Sequence, residues 1–78
     1  MPRITLHPNG VHNINVTIPR LSVENENPEP AADVEVTYNG QTITKRIGAG
    51  ATSKFLYTQT DPPIVVTNRS TVTVVVIY

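Results

Sequence analysis

Proline and glycine occur so often in this 78-residue chain that a helix has almost no room to form. There are seven prolines and four glycines, and no window of about eleven residues shows apolar side chains at helical spacing. Short alternating runs such as Asp33–Tyr38 occupy the intervals instead. Such alternation is typical of strands with one packed face and one wet face. The sequence therefore predicts about seven or eight short strands in an all-β, immunoglobulin-like antiparallel sandwich.

Two Asn-Gly pairs mark predicted hairpins. Asn9-Gly10 separates two alternating runs near the N-terminus, and Asn39-Gly40 directly follows the run that ends at Tyr38. Both central residues of a type I′ turn need a positive φ angle, which asparagine and glycine tolerate. We therefore expect the strands on either side of each pair to lie next to each other in one sheet.

The chain has the length of one domain, residues 1–78. We expect an N-terminal hairpin or arm, residues 1–19, and a sandwich body, residues 20–78. The inward faces of the predicted strands supply the expected core. Its residues are Ile14, Val16, Ile18, Val34, Val36, Tyr38, Ile43, Ile47, Phe55, Tyr57, Val72, Val74 and Val76.

The middle of the chain resembles a known class of domain. The resemblance lies in Leu21-Ser-Val-Glu-Asn-Glu-Asn27, in the strand and turn that run from Ala32 to Thr44, and in Ile47-Gly-Ala-Gly-Ala-Thr-Ser-Lys-Phe55. These segments are similar to CARDB-type immunoglobulin-like domains of prokaryotic surface proteins, over about half the chain (residues 21–57). The resemblance implies a sandwich and a surface-protein setting. It transfers no site residues.

Composition argues against several classes of function. The chain has no cysteine, so it has no disulfide, thiolate zinc site or thiol nucleophile. Its six basic and six acidic residues are scattered and cancel, whereas nucleic-acid binders usually carry a basic patch. No G-x-S-x-G, H-E-x-x-H or phosphate-loop motif occurs. We therefore expect a protein that is not an enzyme, holds no cofactor and binds no nucleic acid.

The two histidines flank the first Asn-Gly pair. If Asn9-Gly10 is a two-residue hairpin loop, His7 and His12 face each other across the strands. Such a pair could bind a metal or form a pH-sensitive contact. No nearby carboxylates are spaced to complete a metal site, so the preferred interpretation is two solvated strand residues.

The charged residues form two small groups. The acidic group consists of Glu24, Glu26, Glu29 and Asp33, and the basic group consists of Lys45, Arg46 and Lys54. The acidic segment contains prolines where a calcium loop has its turn glycine, which favours a solvated loop. Lysine and arginine on neighbouring strands favour protection of a sheet edge over phosphate binding. The glycosylation-type sequences at Asn15 and Asn68 are interpreted as chance matches.

The final segment, Thr71–Tyr78, begins as an alternating run and ends as a continuous apolar one. From Val74 onward both faces of such a strand are apolar. The second face is covered either within the domain, for example by the N-terminal hairpin, or by another molecule. We favour a protein partner or a second copy, bound through the C-terminal strand and the N-terminal hairpin. The predicted interface residues are Val75, Ile77, Tyr78, His7 and His12.

These features predict an object type rather than a chemistry. No signal peptide and no apolar run of the ~18 residues that span a membrane is recognisable. The leading hypothesis is a non-enzymatic subunit of a larger assembly, a virion decoration or accessory capsid protein, located in a virion or other extracellular assembly. The alternative is an extracellular adhesion or carbohydrate-binding module at the cell surface. A third hypothesis is a small enzyme or metal-binding protein that uses the histidine pair.

Overall fold

The computed structural model describes residues 2–78, and this part of the chain contains eight β-strands and no helix. The strands are β1 (Arg3–Leu6), β2 (Val11–Ile14), β3 (Leu21–Glu24), β4 (Ala32–Tyr38), β5 (Gln41–Ile47), β6 (Thr52–Leu56), β7 (Ile64–Asn68) and β8 (Val74–Ile77). They form two four-stranded sheets, sheet A in the order β1-β8-β3-β6 and sheet B in the order β2-β7-β4-β5. All neighbouring strands are antiparallel.

The strand pairs follow a simple rule. The first strand pairs with the last, the second with the seventh, the third with the sixth, and the fourth with the fifth. The chain is therefore an antiparallel double ribbon wound into two layers, which is the connectivity of a jelly roll. The predicted all-β antiparallel sandwich is confirmed. It is immunoglobulin-like in its two-layer architecture, although the first two strands of an immunoglobulin domain lie side by side in one sheet.

The predicted pairing of the two N-terminal strands is wrong. β1 pairs with β8 in sheet A and β2 pairs with β7 in sheet B. The turn between them is centred one residue earlier than predicted, on Pro8 and Asn9. Asn9 has φ 63°, and the Gly10 amide donates to the His7 carbonyl at 2.9 Å. Proline followed by a residue with positive φ is the signature of a type II turn, and here it carries the chain from one sheet to the other.

Gly10 is needed for close approach rather than for its φ angle. A Cβ atom there would lie 2.8 Å from the His7 carbonyl oxygen and 2.9 Å from Leu6 Cδ1. The second Asn-Gly pair behaves as predicted. Asn39 and Gly40 have φ 48° and 72°, and Tyr38 pairs with Gln41 across a two-residue loop, so the β4–β5 hairpin is confirmed.

The core lies between the two sheets and is built from the inward side chains of both. The buried apolar residues are Leu6, Ile14, Ile18, Leu21, Val23, Ala32, Val34, Val36, Ile47, Phe55, Leu56, Ile64, Val66, Val74 and Val76. Three other predicted core residues pack against this cluster while partly exposed, namely Tyr38, Ile43 and Val72. Val16 and Tyr57 were predicted wrongly, since they are 60% and 70% exposed.

Local breaks in the strands explain both errors. β2 ends at Ile14, and the chain next meets a partner at the Ile18–Thr60 bridge. Val16 therefore lies in a loop, where alternation no longer sets its direction. In β6 the register with β3 shifts at Leu21, so that Phe55 and Leu56 are both buried. Because this bulge reverses the alternation, Tyr57 faces solvent.

Two fully buried asparagines fasten the ends of the sandwich. At the end of β7, Asn68 Nδ2 donates to the carbonyls of Leu6, His7 and Val72 at 3.0, 3.2 and 2.7 Å. Its Oδ1 accepts from the Ser70 amide at 3.0 Å. Just after β3, Asn25 Nδ2 donates in the same way to two carbonyls, those of Pro30 and Ile47. Each buried amide thus links the end of a strand to backbone carbonyls of other segments, and no buried side-chain nitrogen or oxygen in the described residues lacks a hydrogen-bond partner.

Candidate interaction site

The outer surface of sheet A carries the apolar pair that the sequence singles out. Here this surface, formed by the outward side chains of β1, β8, β3 and β6, is called the outer A face. β8 is an interior strand, with Val74 and Val76 fully buried against the core. Val75 and Ile77 alternate with them and lie together on the outer A face, both partly exposed. β1 lies beside β8 rather than over it, so the N-terminal segment does not cover this pair.

Polar residues surround the apolar pair on both sides. Ile77 lies between Arg3 of β1 and Ser22 of β3. In the next row Val75 lies between Thr5 and Glu24. A small apolar centre with a polar surround is the arrangement found in protein–protein interfaces.

An ion pair borders this apolar centre. Arg3 Nη2 lies 3.7 Å from Glu24 Oε1 and 3.5 Å from Glu26 Oε1. The Arg3 and Glu26 side chains are each more than half exposed, so this contact adds little to stability. It does place one positive and two negative groups at the border of the Val75–Ile77 pair, where they could orient a partner.

The other three predicted interface residues lie elsewhere. Tyr78 packs against the core rather than on the outer A face. Its hydroxyl lies 3.0 Å from His12 Nε2, and the ring centroids are 5.8 Å apart. His12 is paired with Val66 of β7, while His7 is exposed in the turn. The predicted cross-strand pair of histidines is therefore wrong.

The His12–Tyr78 contact joins the two sheets instead. His12 belongs to β2 of sheet B, and Tyr78 follows β8 of sheet A. Sequence reasoning missed this contact because its two members are 66 residues apart. Among residues 2–78, no three His, Cys, Asp or Glu side chains come together as a group that could hold a metal ion.

The charged groups on sheet B form surface pairs. Arg46 donates from Nε to Asp33 Oδ1 at 3.0 Å and from Nη2 to Oδ2 at 3.4 Å. This hydrogen bond lowers the pKa of Asp33 and raises that of Arg46. Asp33 lies in β4, within the strand predicted over Asp33–Tyr38. Arg69, which directly follows β7, donates from Nε to Glu35 Oε2 of β4 at 2.9 Å.

The lowered pKa of Asp33 predicts a small dependence of stability on pH. Its ion pair stabilises the fold above the ordinary carboxyl pKa, and this contribution is lost as the pH falls through the folded-state value. We expect Asp33→Asn to flatten the acid side of the stability curve slightly, since the pair is exposed. Urea unfolding at several pH values measures this effect. Arg46→Gln should act in the same way, and an unchanged acid slope in both variants would contradict the prediction.

Lys45 occupies an unusual position for a charged residue. It pairs with buried Val34 across the β4–β5 hairpin and therefore points inward at the edge of sheet B. Its Nζ donates to the Lys54 carbonyl of β6 at 2.6 Å and lies 5.3 Å from the Phe55 ring centroid and 5.8 Å from that of Tyr57. One ammonium group thus spans the edges of both sheets. An inward-pointing charge is a known means of blocking edge-to-edge pairing.

The two glycosylation-type sequences lie in different environments. Asn15 is exposed, whereas the Asn68 side chain is fully buried. Because Asn68 Nδ2 donates to three carbonyls, a glycan on this nitrogen is incompatible with the folded domain.

Comparisons with known proteins do not assign this chain to a family. No family model, curated protein or solved structure gives a significant match. No pocket is found in the region that the structure describes. A search of the same residues for a helix long and apolar enough to cross a membrane also finds none.

Proposed function

We propose that this protein is a non-enzymatic structural subunit of a larger assembly, a virion decoration or accessory capsid protein. The observation that carries the proposal is the Val75–Ile77 pair on the outer A face. A partner that covers these side chains would remove apolar surface from water, at about 25 cal/mol per Å². Its surface would also meet the Arg3, Glu24 and Glu26 groups beside the pair.

The fold supports this proposal by analogy. Jelly rolls recur in viral capsid and lectin domains, although a fold alone does not determine a function. The charge distribution favours a protein partner over nucleic acid, because the chain is neutral overall and several basic side chains are engaged with carboxylates.

A rebinding experiment tests the proposal. Particles are purified from the native source, stripped of this protein, and mixed with purified wild type or with Ile77→Lys. We expect wild type to co-sediment with the particles and Ile77→Lys to bind at least about tenfold more weakly, since a charge would replace the centre of the contact. Thr44→Lys, on the outer surface of sheet B, is the matched control and should bind like wild type.

Two results would overturn the proposal. One is that this protein is missing from every particle fraction of the native source. The other is that Ile77→Lys rebinds as well as Thr44→Lys. Circular dichroism of each variant would show that a loss of binding does not come from unfolding.

A second candidate function is an extracellular adhesion or carbohydrate-binding module at the cell surface. Tyr57 favours it, because its ring is 70% exposed and offers a flat apolar surface with a polar tip. Titration with a panel of oligosaccharides, followed by NMR, tests this candidate. It requires saturable binding that Tyr57→Ala abolishes and Ile77→Lys leaves unchanged.

A further inference from the structure

The sandwich has four edge strands, and each exposes backbone groups that could pair with another chain. Sheet A ends at β1 and β6, and sheet B ends at β2 and β5. In an antiparallel pair, alternate residues direct their N–H and C=O groups away from the neighbour. An unprotected edge is therefore a template for a further strand. The four edges of this protein are not protected equally.

One side of the sandwich is blocked by Lys45. This residue is on β5 and points inward, and its ammonium group binds the Lys54 carbonyl of β6. The edge of β5 also carries Arg46, and β6 is distorted by the bulge opposite Leu21. Charges and bulges are standard protections of an edge, so β5 and β6 are both unsuitable for pairing.

On the opposite side, β1 is protected and β2 is not. β1 and β2 are equally short, but β1 follows Pro2 and carries the charged Arg3 at its edge. By contrast, the chain contains no lysine, arginine, aspartate or glutamate between Arg3 and Arg20. β2 lies within this uncharged segment, and Val11 on it is 55% exposed.

The hydrogen-bond pattern identifies which groups of β2 are free. The Asn68 amide donates to the Gly10 carbonyl at 3.0 Å, so the Gly10 position faces β7. Because the hydrogen-bonding direction alternates along a strand, the backbone N–H and C=O groups of His12 also point toward β7. Those of Val11 and Asn13 point toward solvent. Asn13 is also exposed. The open edge of β2 thus has two residues with free donors and acceptors.

We propose that the β2 edge binds the β2 edge of a second copy of this chain, antiparallel about a two-fold axis. With the axis at His12, Val11 of each copy lies opposite Asn13 of the other, and each such pair exchanges two backbone hydrogen bonds. The two B sheets then continue as one. A second copy fits because the edge is uncharged, so two identical edges meet without repulsion. This proposal does not depend on the proposed function.

Proline substitutions on two edges test the inference. Asn13→Pro removes a free N–H that the native ladder does not use, as edge positions tolerate. Thr44→Pro does the same on β5. Thr44 lies opposite Glu35, and its backbone N–H and C=O groups point away from β4. Sedimentation velocity from micromolar to millimolar concentration should show wild type and Thr44→Pro doubling in mass, while Asn13→Pro stays monomeric.

Hydrogen exchange provides a second readout that needs no variant. The amides of Val11 and Asn13 should exchange more slowly as wild-type concentration rises, while those of Thr42 and Thr44 on β5 should not change. Asn13→Lys, which leaves the backbone intact, replaces the proline variant if that variant fails to fold, and it should also stay monomeric. A wild type that remains monomeric at millimolar concentration would overturn the inference, as would a dimer that survives both Asn13 substitutions or one with unprotected Val11 and Asn13 amides.

Discussion

Asn68→Asp should destabilise this domain by about 3 kcal/mol or more at neutral pH. The substitution keeps the shape of the side chain and its acceptor oxygen. It replaces the Nδ2 group, which donates to the carbonyls of Leu6, His7 and Val72, with an oxygen that cannot donate when ionised. Four oxygen atoms without a proton between them would then meet at a fully buried site. The free energy of unfolding of a domain of this length is only roughly 4–12 kcal/mol. The substitution should therefore remove a large part of it.

The sign of the pH dependence distinguishes this explanation from a general packing defect. Burial and the facing carbonyls should raise the pKa of the new carboxyl group above that of the unfolded chain. The destabilisation is then largest above that raised pKa and shrinks as the pH falls, because a protonated carboxyl group can donate one hydrogen bond.

Chemical denaturation at neutral and acidic pH measures both effects. Asn15→Asp, the same change at an exposed position, is the matched control and should alter stability by less than about 0.5 kcal/mol. An Asn68→Asp variant as stable as this control would show that the buried amide does not hold the two sheets together.

Local sequence patterns in this chain predict which side chains face the core and where one hairpin forms. The alternation of Asp33–Tyr38 reports which side chains face the core, since the side-chain period of a strand is two. Asn39-Gly40 specifies its own hairpin, because both residues accept the positive φ that a type I′ turn needs. These signals were sufficient for the fold class, for eight of the fifteen buried apolar residues and for the inward direction of Val74 and Val76.

Such patterns do not predict which strands pair with each other. Alternation indicates a face but not a neighbour, and the β1–β8 and β2–β7 pairs join segments from opposite ends of the chain. The turn at Pro8 could have been predicted better, because Pro8-Asn9 is itself a type II signature. The bulge that exposes Tyr57 depends on the register between β3 and β6, which only the assembled sheet determines.

At the candidate site, too, the sequence predicted which strand carries exposed apolar residues but not which residues lie next to each other. Val75 and Ile77 were identified because their strand is apolar on both faces, and the structure places them together on the outer A face. Tyr78 was also predicted at the interface, yet it alternates with Ile77 and lies on the inward side, where its hydroxyl contacts His12. The sequence predicted that basic residues protect a sheet edge, but it did not predict the contacts that Lys45 makes. Its contact with the Lys54 carbonyl requires β5 and β6 to lie on the same side of the sandwich.

A pair of neighbouring substitutions should separate the two faces of β8. Val76→Ala removes two methyl groups from a fully buried position and should destabilise the domain by about 2–3 kcal/mol, from lost transfer free energy and the cavity left behind. Val75→Ala removes the same atoms from the partly exposed outer A face. It should cost the isolated domain less than about 1 kcal/mol. Urea denaturation of the purified variants at one fixed concentration gives both values.

The comparison also tests the outer A face as a contact surface, because Val75→Ala should show its main effect only when a partner is present. On stripped particles, Val75→Ala should rebind more weakly than wild type even though its fold is nearly as stable, since the apolar area covered by the partner is smaller. Equal losses of stability in the two variants would mean that the outer A face is packed within the domain itself. In that case Val75 and Ile77 would offer no apolar surface for another molecule to cover.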